Sequence, residues 1–165
     1  IYRFDKLIFT SRPSINFTSS FFYKLFNSDL INKNKKNIYV KRGNVVRRKV
    51  LNEDALIEFI KKYDYEIIDC FELEIDQQIN IFSQAKNIII PSGAAMANLI
   101  FIPNNTNVIE IRSNLDGDFS KKLNLQNRFS LFFFNKTIKF GENLRKDIVV
   151  DIHELKKFIE EKNFF

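Results

Sequence analysis

An α/β fold, in which helices cover a parallel sheet, is what the residue pattern of this 165-residue chain predicts. Short β-branched and aromatic runs alternate with segments whose apolar residues recur at helical spacing. The runs are apolar on both faces, as parallel strands buried on both sides must be, and right-handed crossovers would join them. At 45% hydrophobic residues the chain is large enough for one core and too short for two ordinary domains, so residues 1–165 read as a single lobe.

Taken in order, K-L-I-F-T (6 to 10) is a candidate edge strand, followed by a helix around 19 to 27 and a solvated loop from Asn32 to Asn37. N-I-Y-V-K-R (37 to 42) has the composition of a strand. Asn52 then takes an N-cap position, with Glu53 and Asp54 where acidic groups suit the helix dipole, and Ala55, Leu56, Phe59, Ile60 and Tyr63 at helical spacing. Y-E-I-I-D-C (65 to 70) is a strand, and a helix from about 75 to 85 carries Ile75, Ile79 and Phe82 on one side. K-N-I-I-I (86 to 90) is a third strand. Residues 94 to 101 are a short helix ended by Ile102-Pro103, and N-V-I-E-I-R (107 to 112) is the next strand. Beyond Arg112 the pattern weakens: S-L-F-F-F (130 to 134) and D-I-V-V (147 to 150) are strand candidates. Asp151 and Glu154 have capping-box spacing ahead of Leu155, Phe158 and Ile159, which places a final helix there.

Lys and Arg number 26 against 20 Asp and Glu, a net charge of +6 with a pI near 9.4, which favours an anionic partner: nucleic acid, a phosphorylated small molecule or an acidic membrane surface. The 19 Phe with no Trp, beside many Ile, Asn and Lys, fit a bias toward AT-rich codons better than a special aromatic function. The single cysteine, Cys70, has no partner for an internal disulfide, so nothing requires an oxidising compartment. No apolar run has the length of a membrane span. The chain starts at Ile1 rather than Met and is read as a piece of a longer protein. N-x-T tripeptides at Asn16, Asn104 and Asn135 are glycosylation acceptors only in a secretory pathway, and in so Asn-rich a chain they read as accidental.

In an open parallel sheet, ligands bind at the carboxyl ends of strands. Two loops have that address. K-R-G-N-V-V-R-R-K (41 to 49) sets Lys41, Arg42, Arg47, Arg48 and Lys49 around a glycine that permits close backbone approach. Arginine forks match phosphate oxygens, so the loop could neutralise a diphosphate; a solvated surface loop has the same composition. In I-I-P-S-G-A-A-M-A-N-L (89 to 99), Ser92 is placed to cap the next helix and Gly93 to leave room at the backbone. N–H groups from Gly93 to Ala95 would accept an anion, although a capped βα turn without a ligand explains the same residues.

Other candidates are weaker. Asp116-Gly117-Asp118 has a carboxylate pair that could hold a metal but reads better as a turn. His153 reads as a surface residue and Cys70 as a buried thiol at a strand end. No triad, zinc spacing or Walker loop is visible.

Together, N-I-Y-V-K-R-G-N-V-V-R-R-K-V-L-N-E-D (37 to 54), the helix containing Asp76-Gln77-Gln78, and I-I-I-P-S-G-A-A-M-A-N-L-I-F-I-P (88 to 103) resemble the family-61 glycosyltransferases. That family's pattern is a strand, a basic segment ending R-x-I/V-L-N-E, and a later P-H-G-A-x-x-x-N turn. The matching residues are Arg42, Arg48, Val50, Leu51, Asn52 and Glu53, then Pro91, Gly93, Ala94 and Asn98, then Val108, Ile109 and Glu110. The resemblance covers about residues 37 to 112, and the capped last helix is similar to the family's C-terminal end. The family's His in the turn is Ser92 here, a hydroxyl in place of an imidazole.

The resemblance implies a GT-B architecture of two Rossmann-like lobes, with this chain as the C-terminal, donor-binding lobe and the N-terminal lobe missing. It implies inverting transfer of a sugar from a nucleotide sugar to a glycan or glycolipid acceptor, in capsular or other surface polysaccharide assembly. Acceptor and catalytic base are expected on the other lobe, so donor binding without transfer is expected of this piece alone. Diphosphate contacts fall to Arg42, Arg47 and Arg48, with backbone contacts from Gly93, Ala94 and Ala95. Ser92 is expected to offer a hydroxyl, Asn98 a contact or a brace, and Glu110 a bond to ribose hydroxyls. Arginines and a helix start would stabilise the leaving diphosphate without a metal or other cofactor. A cytoplasmic setting follows for a bacterial protein, with peripheral association at the inner membrane face, and the secretory pathway for a eukaryotic one. The rival expectation is a non-catalytic basic module for nucleic acid or phosphorylated ligands. It is disfavoured because most Phe lie at core-like positions, so nucleic acid is not expected as a partner.

Overall fold

The computed structural model describes residues 36–43, 45–112, 120–121, 129–140 and 147–164. The expected strand at 6 to 10, the helix around 19 to 27, most of the loop from Asn32 and the Asp116-Gly117-Asp118 turn lie outside these residues.

Five strands form one parallel sheet: β1 (Lys36–Val40), β2 (Tyr65–Ile68), β3 (Ala85–Pro91), β4 (Asn107–Ile111) and β5 (Ser130–Phe134), in the order β2-β1-β3-β4-β5. Helices α1 (Glu53–Lys61) and α2 (Ile75–Ser83) are the first two crossovers, and the result is a Rossmann-like α/β fold. Alternation along each strand sends neighbouring side chains to opposite faces. Ile38, Val40, Ile88, Ile90 and Val108 pack with Phe82 of α2 on one face; Tyr39, Ile89, Ile109 and Ile111 pack on the other with Leu56 and Ile60 of α1. All of these are fully or almost fully buried.

Three asparagines cross the sheet in register near its amino-terminal edge. Asn87 donates to Asn37 at 2.9 Å and accepts from Asn107 at 2.9 Å, and it also donates to the Phe164 carbonyl at 3.3 Å. Asn87 is wholly buried, so the ladder supplies hydrogen bonds that burial would otherwise forfeit.

The chain after β5 forms an appendage to this sheet. β6 (Thr137–Phe140) and β7 (Asp147–Val150) pair antiparallel in a separate ribbon. The expected strand at 147 to 150 therefore exists outside the main sheet, and β6 was not anticipated. Helix α3 (Ile152–Glu161) follows, with Asp151 accepting from the Glu154 amide at 3.0 Å as its spacing predicts. It buries Leu155 and Ile159 against the same face as α1.

Asn52 stands at the N-cap position and a short helix follows β3, both as expected, and each differs in detail. Asn52 does not cap α1 through its side chain. Its amide instead pairs with β7 like a strand residue, donating to the Val150 carbonyl and accepting from the Val150 N–H, both at 2.9 Å. The segment 94 to 101 is a 3-10 helix (Ala94–Ile100) rather than α. The larger rise, about 2.0 Å per residue against 1.5 Å, carries so short a run further across the sheet before Pro103.

Candidate functional site

β1 crosses to β2 on one side, while its other neighbour, β3, is reached only through β2 and α2. The carboxyl ends of β1 and β3 therefore flank the topological switch point, where this class of sheet opens a crevice. A cleft of about 350 Å³ lies there. Lys41, Arg42, Val45 and Arg48 line it from the loop after β1, Cys70 and Phe71 from the 3-10 turn after β2 (Cys70–Glu72), Gln78 from α2, and Pro91, Ala94, Ala95, Ala97 and Asn98 from the segment after β3.

The basic loop is held by a bond to the start of α1 and by bonds between its own residues. The Arg42 N–H donates to Glu53 Oε1 at 2.6 Å, an oxygen that also accepts from the Tyr39 hydroxyl at 2.8 Å. Tyr39 is buried; desolvation first, and the Glu53 charge second, push its pKa well above the usual phenol value, so it remains a donor. The Arg42 guanidinium turns back along the loop, Nε donating to the Arg48 carbonyl at 3.0 Å and Nη2 to that of Arg47 at 3.3 Å. Arg48 itself sits at φ +58°, in the left-handed region that a residue with a Cβ enters at a cost.

Gly93 has its role in the same place. Its backbone is extended, and a Cβ there would stand 1.6 Å from Arg42 Nη1 and 2.8 Å from Cζ. The group that approaches the glycine backbone is thus the chain's own guanidinium. The Gly93 N–H meets the Met96 sulfur at 3.4 Å and the Ser92 N–H the Ile111 carbonyl at 2.9 Å, which leaves Ala94 and Ala95 to open the 3-10 helix, where first N–H groups lack an intrahelical partner.

The opposite wall is neutral. Asn98 Nδ2 donates to Gln78 Oε1 at 2.7 Å and lies 3.7 Å from Cys70 Sγ; Gln78 Nε2 donates in turn to the Cys70 and Leu73 carbonyls at 3.0 and 2.9 Å. Asn98 is therefore a brace that ties the 3-10 helix to the turn after β2. Burial, then the Asp69 charge, raises the Cys70 thiol to about 11, with the Asn98 bond opposing them. Lys41 pairs with Asp69 at 3.7 Å, and Asp69 Oδ1 accepts from the Phe71 N–H at 3.1 Å.

Of the residues expected at the site, Arg42, Arg48, Ala94, Ala95 and Asn98 line the cleft, and Gly93 underlies Arg42. Arg47 is exposed beside it and contributes its carbonyl. Ser92 and Glu110 are displaced inward: Ser92 is 7% exposed and Glu110 1%, and the Glu110 carboxylate accepts the hydroxyls of Ser92 and Ser120. Both therefore stand back from the cleft surface, the Glu110 carboxylate engaged by hydroxyls that its own fold supplies. Cys70, expected as a buried strand-end thiol, is half-buried on a turn beyond the end of β2. Phe71 and Gln78 were missed; a Phe directly after a strand's carboxyl end was the available signal. His153 is exposed on α3. Among the described residues, no group of three His, Cys, Asp or Glu could hold a metal ion.

The family model described as Glycosyltransferase 61 matches residues 2–109, a stretch that contains β1 to β3, most of β4 and every residue lining the cleft. No curated protein matches the chain.

Proposed function

Since the chain belongs to glycosyltransferase family 61, we propose that the cleft between the ends of β1 and β3 holds the nucleoside diphosphate of a nucleotide-sugar donor. One observation carries this reading: Lys41, Arg42 and Arg48 converge on a crevice at the switch point, within the stretch that matches the family. When the acceptor oxygen attacks the anomeric carbon, the bond from that carbon to the phosphate oxygen breaks and the diphosphate leaves with the electron pair. Cations already fixed around that position stabilise the developing charge with little rearrangement. In this reading transfer inverts the anomeric centre in a GT-B enzyme, needs no metal, and serves surface polysaccharide assembly at a membrane face. The acceptor and the base that takes its proton belong to a second lobe.

Nucleic acid is a poorer occupant. A single-strand groove stacks successive bases on exposed aromatics, and the exposed large hydrophobics among the described residues include one aromatic, Phe71. Thermal unfolding with UDP, GDP, CMP and a short oligonucleotide separates the two. A ligand at a hundred times its Kd adds about 2.7 kcal/mol of stability, so one nucleotide should raise Tm clearly and with little salt dependence. Stabilisation by the oligonucleotide alone, lost at 200 mM salt, would sink the donor reading.

A further inference from the structure

Phe71 is 73% exposed although it lines a cleft. Its ring nevertheless lies against the basic loop. The Phe71 N–H is tied to Asp69, and its Cδ2 would lie 3.1 Å from a Cβ at Gly43, so the ring rests where that residue has no side chain. Gly43 adopts φ +70°, a conformation that favours glycine. One side of the phenyl ring is thus backed by the loop that carries the cations, and most of the rest stays open. Val45 adds an apolar neighbour on that loop, while Asn98 and Gln78 on the facing wall are bonded to each other.

An uncovered aromatic surface beside Lys41, Arg42 and Arg48 suits a ligand that is flat and apolar at one end and multiply anionic at the other. We propose that Phe71 is the platform on which the donor's nucleobase stacks, with the diphosphate running from it toward Arg48. This rests on the donor reading of the cleft and adds to it the residue that grips the base. Stacking on a phenyl face tolerates any base, so Phe71 supplies affinity for a nucleoside over a bare diphosphate and leaves the choice among bases to other groups.

The test compares UDP, GDP and inorganic pyrophosphate on the wild type, Phe71→Ala and Phe71→Trp. Phe71→Ala should weaken UDP and GDP about tenfold and leave pyrophosphate unchanged, whereas Phe71→Trp should retain nucleotide affinity. Because the chain has no Trp, Phe71→Trp also reports directly: UDP or GDP should quench its emission and pyrophosphate should not. Equal loss of pyrophosphate and nucleotide in Phe71→Ala, at unchanged Tm, would make Phe71 a support for the basic loop and overturn the stacking assignment. Unchanged nucleotide affinity would overturn it too, with the donor reading intact. If the wild type bound neither UDP nor GDP, the donor reading itself would fall.

Discussion

Gly93→Ala is the sharpest perturbation of the cleft, because its expected effect travels through one other side chain. The new methyl carbon would stand 1.6 Å from Arg42 Nη1, whereas unbonded heavy atoms settle near 3.5 Å. The guanidinium must therefore retreat by about 2 Å, which takes its bonds to the Arg48 and Arg47 carbonyls, now 3.0 and 3.3 Å, beyond hydrogen-bonding range. Two bonds from a charged donor, discounted for partial exposure, amount to about 1 to 2 kcal/mol. The backbone at Gly93 is extended and adds no strain of its own. Urea unfolding of Gly93→Ala, Arg42→Ala and the double variant measures the coupling. Each single change should cost about 1 to 2 kcal/mol, and the double should match Arg42→Ala within about 0.5 kcal/mol, since the methyl then has space. If Gly93→Ala costs as much without Arg42 as with it, the guanidinium is not what occupies that place.

Two further changes probe the cations and the thiol. Arg48→Ala should weaken UDP by about 1 to 3 kcal/mol, the worth of a charge-assisted bond, while Arg48→Gly should lose the same affinity yet be more stable than Arg48→Ala by about 1 kcal/mol, because glycine accepts φ +58°; titration and urea unfolding check the pair. Cys70, held near 11 against an ordinary 9.0, keeps its proton at neutral pH. At pH 8 its thiolate fraction is down about a hundredfold and the greater nucleophilicity of a basic thiolate returns about tenfold, so iodoacetamide should react about ten times more slowly than with a free cysteine. Asp69→Asn should speed that reaction, because removing a neighbouring negative charge lowers the thiol pKa.

The alternation of strands and helices was legible because period-2 and period-3.6 patterns are local, and the two loops at strand ends were legible because their chain positions define them. What a side chain turns toward is not local. Arg42 reads as a phosphate ligand by composition, yet its guanidinium closes on carbonyls of its own loop and on a glycine in a different one. Ser92 and Glu110 read as polar groups at the ends of strands, and the fold pairs them with each other inside. β6 was missed because T-I-K-F is four residues long, leaves Ile138 63% exposed, and owes its existence to pairing with β7. Phe71 was hidden by abundance in a chain with 19 Phe: among the described ones exposure distinguishes it, and exposure is a property of the fold.

A left-handed backbone at Arg48 costs about 1 to 2 kcal/mol and persists only where surrounding contacts outweigh it. Here the contacts form one chain: buried Tyr39 holds Glu53, Glu53 holds the Arg42 amide, and the Arg42 guanidinium, seated on Gly93, holds the Arg48 carbonyl. Three elements meet in it, β1, the start of α1 and the end of β3, all anchored in the core. The loop's conformation is thereby set before any ligand arrives, so less ordering entropy is lost on binding than a long basic loop would otherwise forfeit. The Asn52 link to β7 supports the same helix start from outside. A lesion at Tyr39, Glu53 or Gly93 should reach nucleotide affinity through the placement of Arg42 and Arg48 rather than through the loss of a ligand contact, whereas a lesion at Arg42 removes both. Arg42→Ala is then expected to weaken UDP even though much of its guanidinium is committed to protein carbonyls, and lysine, which lacks the fork that spans both carbonyls, should not rescue it.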